Sequence, residues 1–342
     1  MTNPWGDLKA NDLAIDLGTA NTVIYERTKG IVLNEPSVLA LAEEGGRTEV
    51  CAVGAEAKDM VGRLPPNITT VRPLRDGVVA DFKAAEDMVR AFIQRARTHS
   101  ALVKPRIVVG APPDATPVER RAIAESCVAA GARRVELIDE AMAAAIGAGV
   151  SVDNPAGSMV VDIGGGTTSI AVVARSRVVF SRSIRMGGDK MDEAIMGYMR
   201  HEQDVLVGER TAERIKLEIG RANAEGCDGE TLKVRCRDAK RGVVRAVHLT
   251  CGDIAEALAE PVRQIVAAVV AAIEATPPEL TCDIAETGVI LTGGGALLRG
   301  LDEVIGDAIG LPVVVAAEPL ACVAAGCGEL LEREDWWRRM AG

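Results

Sequence analysis

Two carboxylates in this chain stand where a phosphate-bound cation would need them. Asp16 follows the apolar run Leu13–Ile15 and Asp162 follows Met159–Val161. One apolar residue comes after each, then a turn: Gly18, Thr19, Ala20 and Asn21 in the first copy, Gly164, Gly165, Gly166 and Thr167 in the second. Glycine-rich backbone meets a ligand without side-chain obstruction, so the amides of such turns can hold phosphate oxygens. A carboxylate at the end of the preceding strand suits magnesium, which keeps much of its water and is held by one or two carboxylates plus phosphates. One such string is most often an ordinary tight turn. Two copies in matching context, with a third glycine turn at Gly293, Gly294 and Gly295, point to a nucleotide between two related halves.

The elements that must carry these turns follow from hydrophobic periodicity. Strand-like runs alternate with helical ones, which implies an α/β fold with largely buried sheets. Each half opens as a meander: Leu13 to Leu17, Thr22 to Tyr25, Gly30 to Leu33 and Ser37 to Leu41 in the first, then Met159 to Ile163, Ser169 to Val173 and Arg177 to Ile184 in the second. Thr116, Pro117 and Glu119 form a capping box with proline at the first helical position, so a helix should run from there to about Gly131. Further helices are expected over Ala84 to Arg97, Asp189 to His201, Thr211 to Ile219 and Asp253 to Ala275, with strands near Arg106 to Val109, Leu232 to Arg235 and Val243 to Leu249. A glycine-bearing stretch, Gly147 to Gly157, is the expected hinge between the halves.

Composition narrows the function classes. With 342 residues the chain is long enough for about two domains. A formal charge of −10 argues against nucleic acid as a partner. The opening residues carry no secretory pattern, and the longest clean apolar run, Ile265 to Ile273, is far too short to span a bilayer. A soluble, cytoplasmic protein is expected. The 8 cysteines contain no C-x-x-C pair and the 3 histidines sit at no ligand spacing, so free thiols are expected in place of a disulfide framework or a zinc site.

At its three glycine turns the chain resembles the actin-like ATPase superfamily. Blocks beginning at Gly30 (GIVLNEPSV), Arg72 (RPLRDGVVADF), Glu140 (EAMAAAIGAG), Gly208 (GERTAERIK) and Leu291 (LTGGGALLRGLD) narrow that resemblance to the MreB family of bacterial actins, over about Asn11 to Glu329. The resemblance implies an actin-like fold of two related domains, each a sheet flanked by helices and each carrying a smaller inserted subdomain, with ATP or ADP in the cleft. Domain I would span 1–145 and 324–342, with a small subdomain at about 33–66; domain II would span 146–323, with a small subdomain at about 183–243. Thr19, Ala20, Asn21, Gly165, Gly166 and Thr167 would hold phosphates, and Asp16 and Asp162 would hold Mg2+ through water. The segment Glu213, Arg214, Ile215 and Lys216 would meet ribose and base, and Gly293, Gly294, Gly295 and Ala296 would close over the adenosine. Glu140 would position the attacking water with help from Thr167. From the residues alone, Glu213 and Lys216 could equally be a solvated pair one turn apart, and Glu140 could simply cap the helix that follows it.

Two positions depart from the family pattern: Ala141 stands where proline is usual and Ser169 where glutamate is common. The resemblance further implies slow ATP hydrolysis coupled to assembly of head-to-tail protofilaments, which pair antiparallel, with the helix from Pro117 to Ala130 as the candidate lateral face. It implies attachment to the anionic inner face of the cell membrane, contact with transmembrane proteins of the elongation machinery, and control of rod shape through lateral wall synthesis. Leu102 and Val103, with Ala101, form an apolar tip among Arg95, Arg97, Lys104 and Arg106, a pattern suited to an anionic lipid surface. Trp5 is a second candidate anchor; Trp336 and Trp337 read as a helix end. The alternative function is a small-molecule kinase of the same superfamily, although no acceptor-side aspartate stands out beyond the two magnesium positions.

Overall fold

The computed structural model describes residues 12–96 and 104–332. The apolar tip at Leu102 and Val103, and Trp5, Trp336 and Trp337, lie outside the described residues. Two five-stranded sheets dominate. In spatial order the first runs Gly30–Pro36, Asn21–Glu26, Leu13–Leu17, Arg106–Ala111 and Arg134–Asp139; the second runs Arg177–Ile184, Thr168–Ala174, Ser158–Ile163, Val289–Thr292 and Val313–Val315. In both, three antiparallel strands are followed by two parallel ones. The repeated aspartate strings are therefore a repeated topology. Asp16 pairs with Val23 in the first hairpin, and Asp162 pairs with Ser169 in the second.

A smaller three-stranded sheet follows the meander in each half. One contains Leu39–Glu44, Arg47–Val53 and Ile68–Val71; the other contains Val205–Leu206, Thr231–Asp238 and Val244–Thr250. The strands that complete them, Ile68–Val71 and Val244–Thr250, lie just beyond residues 66 and 243; the first is short and partly polar and was not foreseen, whereas the second was expected over Val243 to Leu249. The helix Ala55–Met60 within the first was not foreseen. The second corrects the expectation of free thiols: Cys227 and Cys251 form a disulfide, with Cα atoms 5.5 Å apart. They lie 24 residues apart in sequence. The hairpin closes through Thr231 opposite Thr250 and so delivers Cys251 to the strand's entry, where its amide donates to the Glu230 carbonyl at 3.1 Å.

Each large sheet buries its own core against amphipathic helices. In Phe82–Ala96 the residues Ala85, Met88, Val89, Phe92 and Ile93 recur at helical spacing on the buried side. The expected capping box is present: Thr116 Oγ1 accepts from the Glu119 amide at 3.3 Å while Glu119 Oε2 accepts from the Thr116 amide at 2.7 Å. A third core joins the sheets, taking Ala14 and Val108 from the first and Val160 and Ala171 from the second.

Two helices fill that third core, Glu140–Gly147 and Cys322–Glu332. Every residue from Ala141 to Ile146 is buried, as befits a helix apolar on all sides. Small residues one turn apart let the two backbones touch: Ala143 and Gly147 on one, Cys322 and Gly326 on the other. A Cβ on Gly147 would lie 1.9 Å from the Cys322 carbonyl oxygen, and one on Gly326 would lie 1.9 Å from that of Ala143. The segment expected to act as a hinge thus begins at a close-packed crossing.

Helix propensity and packing make opposite predictions at these glycines. Propensity favours alanine over glycine by about 1 kcal/mol, whereas forcing atoms into a filled core costs about 1–3 kcal/mol. Gly326→Ala should therefore lower the thermal midpoint by several degrees. Gly197→Ala, in the helix Gly188–His201 with open space around it, should raise the midpoint in the same thermal denaturation assay.

Candidate functional site

The ends of the central strands bring the three glycine turns together around a cavity of about 450 Å3, a size typical of small-molecule sites. Its walls include Asp16, Thr19, Ala20, Asn21, Glu140, Asp162, Gly165, Gly166, Thr167, Glu213, Lys216 and Gly293 to Gly295. The first turn is pinned from outside: the Ser37 hydroxyl donates to the Gly18 carbonyl at 2.6 Å, and the Gly77 amide donates to Thr19 Oγ1 at 3.1 Å. The second closes on itself through the Gly164 amide and the Thr167 carbonyl at 2.8 Å. Carbonyls of Gly164 and Gly165 accept from the amides of Gly188 and Asp189 at 3.0 and 2.8 Å, which fixes that turn to the start of the helix behind it.

The turns from the two halves also face each other. A Cβ on Gly165 would lie 2.5 Å from that of Ala20, and one on Gly166 would lie 2.8 Å from Thr19 Oγ1. Only glycine permits this approach. The third turn begins at Gly293 with φ +78°, where a side chain would meet the Ile163 carbonyl oxygen at 2.4 Å.

Among the carboxylates that line this enclosure, Asp16, Asp162 and Glu140 sit at the strand ends and the interior helix, and the protein around them makes each hard to ionise. Burial raises Asp16 to about 7, reinforced by the charge of Asp162. Asp162 rises to about 6 through burial, offset in part by the Thr292 hydroxyl, which donates to its Oδ1 at 2.8 Å. Glu140 reaches about 8 through burial and the charge of Asp162, opposed by a hydrogen bond of 2.6 Å from the Ser169 hydroxyl. Such a group of raised carboxylates is chemically poised for a divalent cation, whose charge would reverse those shifts. Among the described residues no three acidic, cysteine or histidine side chains converge as a direct metal cage.

Glu140 does not cap its helix. The neighbouring Asp139 does so, its Oδ1 accepting from the amides of Ala141 at 2.9 Å and Met142 at 3.3 Å. Ala141 supplies an amide that proline would lack, so the departure at this position is what allows the two-bond cap. Glu140 is left free to point into the cavity.

The helix Glu209–Ile219 divides the expected ribose and base contacts by its faces. Glu213, Lys216 and Leu217 line the cavity, while Ala212, Ile215 and Ile219 enter the core of the second half. Ile215 is completely buried there, and Arg214 turns outward toward Glu218 at 3.9 Å. Ala296 is likewise buried beneath its turn, and Leu297, Leu298 and Arg299 line the wall in its place. The side chains of Arg214, Ile215 and Ala296 thus do not line the cavity; a contiguous motif cannot place every member on one side of a helix. Glu213 and Lys216 do not pair with each other. Glu213 meets Lys58 at 2.8 Å, and Lys216 meets Asp192 at 2.8 Å and donates to the Gly188 carbonyl at 2.8 Å.

Sequence reasoning missed Lys58, Asp189 and Asp192 as wall residues. It also missed the ion pairs across the mouth, Arg210 with Asp59 at 2.7 Å and Arg72 with Asp189 at 3.7 Å and with Glu209. No local pattern marks these residues: the pairs across the mouth join positions more than a hundred apart, and Asp192 pairs with Lys216 on a different helix.

Comparison with known proteins agrees with this geometry. The MreB/Mbl protein family model matches residues 10–339. The chain is 54% identical over 338 residues to the cell shape-determining protein MreB of Escherichia coli K12, covering 98% of this chain and 97% of that protein. It is 47% identical over 326 residues to the cell shape-determining protein Mbl of Bacillus subtilis 168, covering 95% and 97%. Among solved structures, MreB5 of Spiroplasma citri bound to AMPPNP superposes with a TM-score of 0.89 at 33% identity, covering 96% of this chain and 98% of that one. The MamK double helical filament, at 18% identity and a TM-score of 0.78 over 94% and 99% of the two chains, shares the fold. With the duplicated sheets, the inserted subdomains and the cleft between the halves all in place, the chain belongs to the MreB/Mbl family and has the actin-like fold.

Proposed function

We propose that this protein is a cytoskeletal filament protein that binds ATP with Mg2+ in the cleft, hydrolyses it slowly, and directs rod shape by organising lateral cell-wall synthesis. The observation that carries the reading is the cavity where two duplicated aspartate turns and a third glycine turn meet, with the Glu140 carboxylate beside those of Asp16 and Asp162. The relatives in Escherichia coli and Bacillus subtilis are described as cell shape-determining, and MreB5 has been solved with AMPPNP and with ADP.

In this reading Thr19, Ala20, Asn21, Gly165, Gly166 and Thr167 hold phosphate oxygens. Asp16 and Asp162 hold the waters of Mg2+, which when bound neutralises phosphate charge. Glu213 and Lys216 contact ribose and base from the cleft face of their helix. Glu140 accepts a proton from the water that attacks the terminal phosphorus, as the bond to the bridging oxygen breaks and ADP leaves, and the Thr167 hydroxyl orients that water. Phosphoryl transfer asks mainly for such positioning and charge neutralisation. Residues 1–145 with 324–342, and 146–323, are the two jaws around the nucleotide.

Assembly is head to tail, a heterologous contact that does not close on itself and so propagates a filament. The helix Pro117–Ala129 exposes Val118 and Val128 and is the lateral face for antiparallel pairing. No described helix is long and apolar enough to cross a membrane. Attachment to the anionic inner membrane surface rests on the sequence around Leu102 and Val103, and transmembrane elongation proteins are the partners there.

Sedimentation with ATP and Mg2+ tests the core of the proposal. Wild type should pellet, Asp162→Ala should neither bind nucleotide nor pellet, and Glu140→Gln should pellet while phosphate release falls about 100-fold; absence of wild-type pelleting at any concentration defeats the filament reading. A second expectation follows from the raised carboxylates. Their folded values of about 6, 7 and 8 exceed the ordinary value near 4, so the stability they contribute is fully present below pH 4 and lost as pH rises through 6 to 8. Ligand-free protein should therefore lose thermal midpoint between pH 6 and 8.5, and the gain on adding Mg2+ and ATP should grow over that interval. Anionic liposomes should co-sediment the wild type better than the variant carrying Leu102→Ser and Val103→Ser.

A further inference from the structure

One rung of side chains crosses the second sheet at its cleft end. Thr292 is the register partner of Asp162, Asp162 of Ser169, and Ser169 of Ser183, and cross-strand partners project to the same face. Thr292 Oγ1 donates to Asp162 at 2.8 Å, and the hydroxyls of Ser169 and Ser183 lie 3.2 Å apart. Ser183 is itself anchored to the first half, its amide donating to Asp114 Oδ2 at 2.8 Å. The matching rung of the first sheet runs through Asp16, Val23 and Asn34. Where the second half has a serine, the first has an apolar residue.

Ser169 is completely buried, and its hydroxyl donates to Glu140 Oε1 at 2.6 Å. This is the one hydrogen bond that the Glu140 carboxylate accepts among the described residues. A hydroxyl has a single hydrogen to give. With that hydrogen on Glu140, Ser169 meets Ser183 as an acceptor, so Ser183 sets the direction in which Ser169 donates. Glu140 belongs to the helix buried between the sheets, whereas both serines belong to the second sheet.

We propose that Ser169, oriented by Ser183, is a positioning residue that holds Glu140 by one oxygen, leaves the other to accept from water, and ties its orientation to the placement of the second sheet. The inference rests on the hydrolysis proposed above and adds how the glutamate is aimed. The serine at a position where the family commonly has glutamate thereby becomes a donor to the catalytic carboxylate.

Steady-state ATP turnover in wild type, Ser169→Ala, Ser169→Thr, Ser183→Ala, Glu140→Gln and the Ser169→Ala, Glu140→Gln double variant provides the test. Misplacing a reacting group by about 1 Å costs up to about 100-fold, so Ser169→Ala should lower kcat about 10-fold or more with KM for ATP held within about twofold. Ser183→Ala should lower kcat by less, and Ser169→Thr, which retains the hydroxyl, should recover most of the loss. In the Glu140→Gln background Ser169→Ala should change nothing further, since coupled residues are non-additive. Wild-type turnover with an unaltered kcat in Ser169→Ala, a change confined to KM, or additive losses in the double variant would overturn this proposal alone. No turnover in the wild type would overturn the proposed hydrolysis and this inference with it.

Discussion

The arrangement depends on a backbone-to-backbone contact. Where Glu140–Gly147 crosses Cys322–Glu332, glycine lets each helix approach the other's carbonyls, closer than any side chain would allow. That contact sets the thickness of the layer between the two large sheets and hence the separation of the strands that carry Asp16 and Asp162. It also fixes where Glu140 emerges. A Cβ on Gly110 would lie 3.4 Å from that of Glu140 and 3.1 Å from Val323, so the first sheet, the crossing helices and the carboxylate are packed as one unit.

Against that rigid base the outer parts of the cleft are joined more weakly. Lys58 with Glu213, Arg210 with Asp59, and Arg72 with Asp189 and Glu209 span the mouth, all partly exposed. Pairs of this kind contribute about 0–1 kcal/mol each and are screened by salt. The contrast places compliance at the mouth and stiffness at the floor. Glu213 is shared between both roles, since the carboxylate facing the cavity is also the one that grips Lys58. A ligand that engaged Glu213 would compete with that latch, and so would bear on cleft geometry without touching the crossing.

Most of the large-sheet architecture was legible because alternating and buried β-branched runs announce themselves locally, and because the chain repeats its pattern. The capping box at Thr116 and Glu119 was legible for the same reason: its chemistry is confined to four residues. What escaped is non-local or directional. The Cys227–Cys251 disulfide depends on a hairpin closing between them. The ion pairs at the mouth depend on two halves meeting. Glu140 could not be separated from a helix cap until Asp139 was found in that position, and Ile215 could not be separated from Lys216 until the helix had an orientation. Ser169 was visible as a departure from the family pattern, but its hydrogen-bond partner was not.

Duplication explains why the site exists, and departure from duplication explains what it is able to do. Two copies of an aspartate turn give the cleft a near-symmetric lining, with backbone turns and carboxylates on both sides, as the proposed phosphate and cation site requires. Symmetry alone supplies no direction for a reaction. Direction enters where the halves differ: the first half supplies Glu140 from the interior helix, and the second supplies the hydroxyl rung of Thr292, Ser169 and Ser183 in place of the apolar Val23. A carboxylate raised to about 8 by burial is a stronger base than an exposed one, yet is less often ionised at neutral pH. The serine hydrogen bond opposes part of that shift. In the general-base role proposed for Glu140, Ser169 would act on both requirements at once, holding one carboxylate oxygen in place and favouring the charged form.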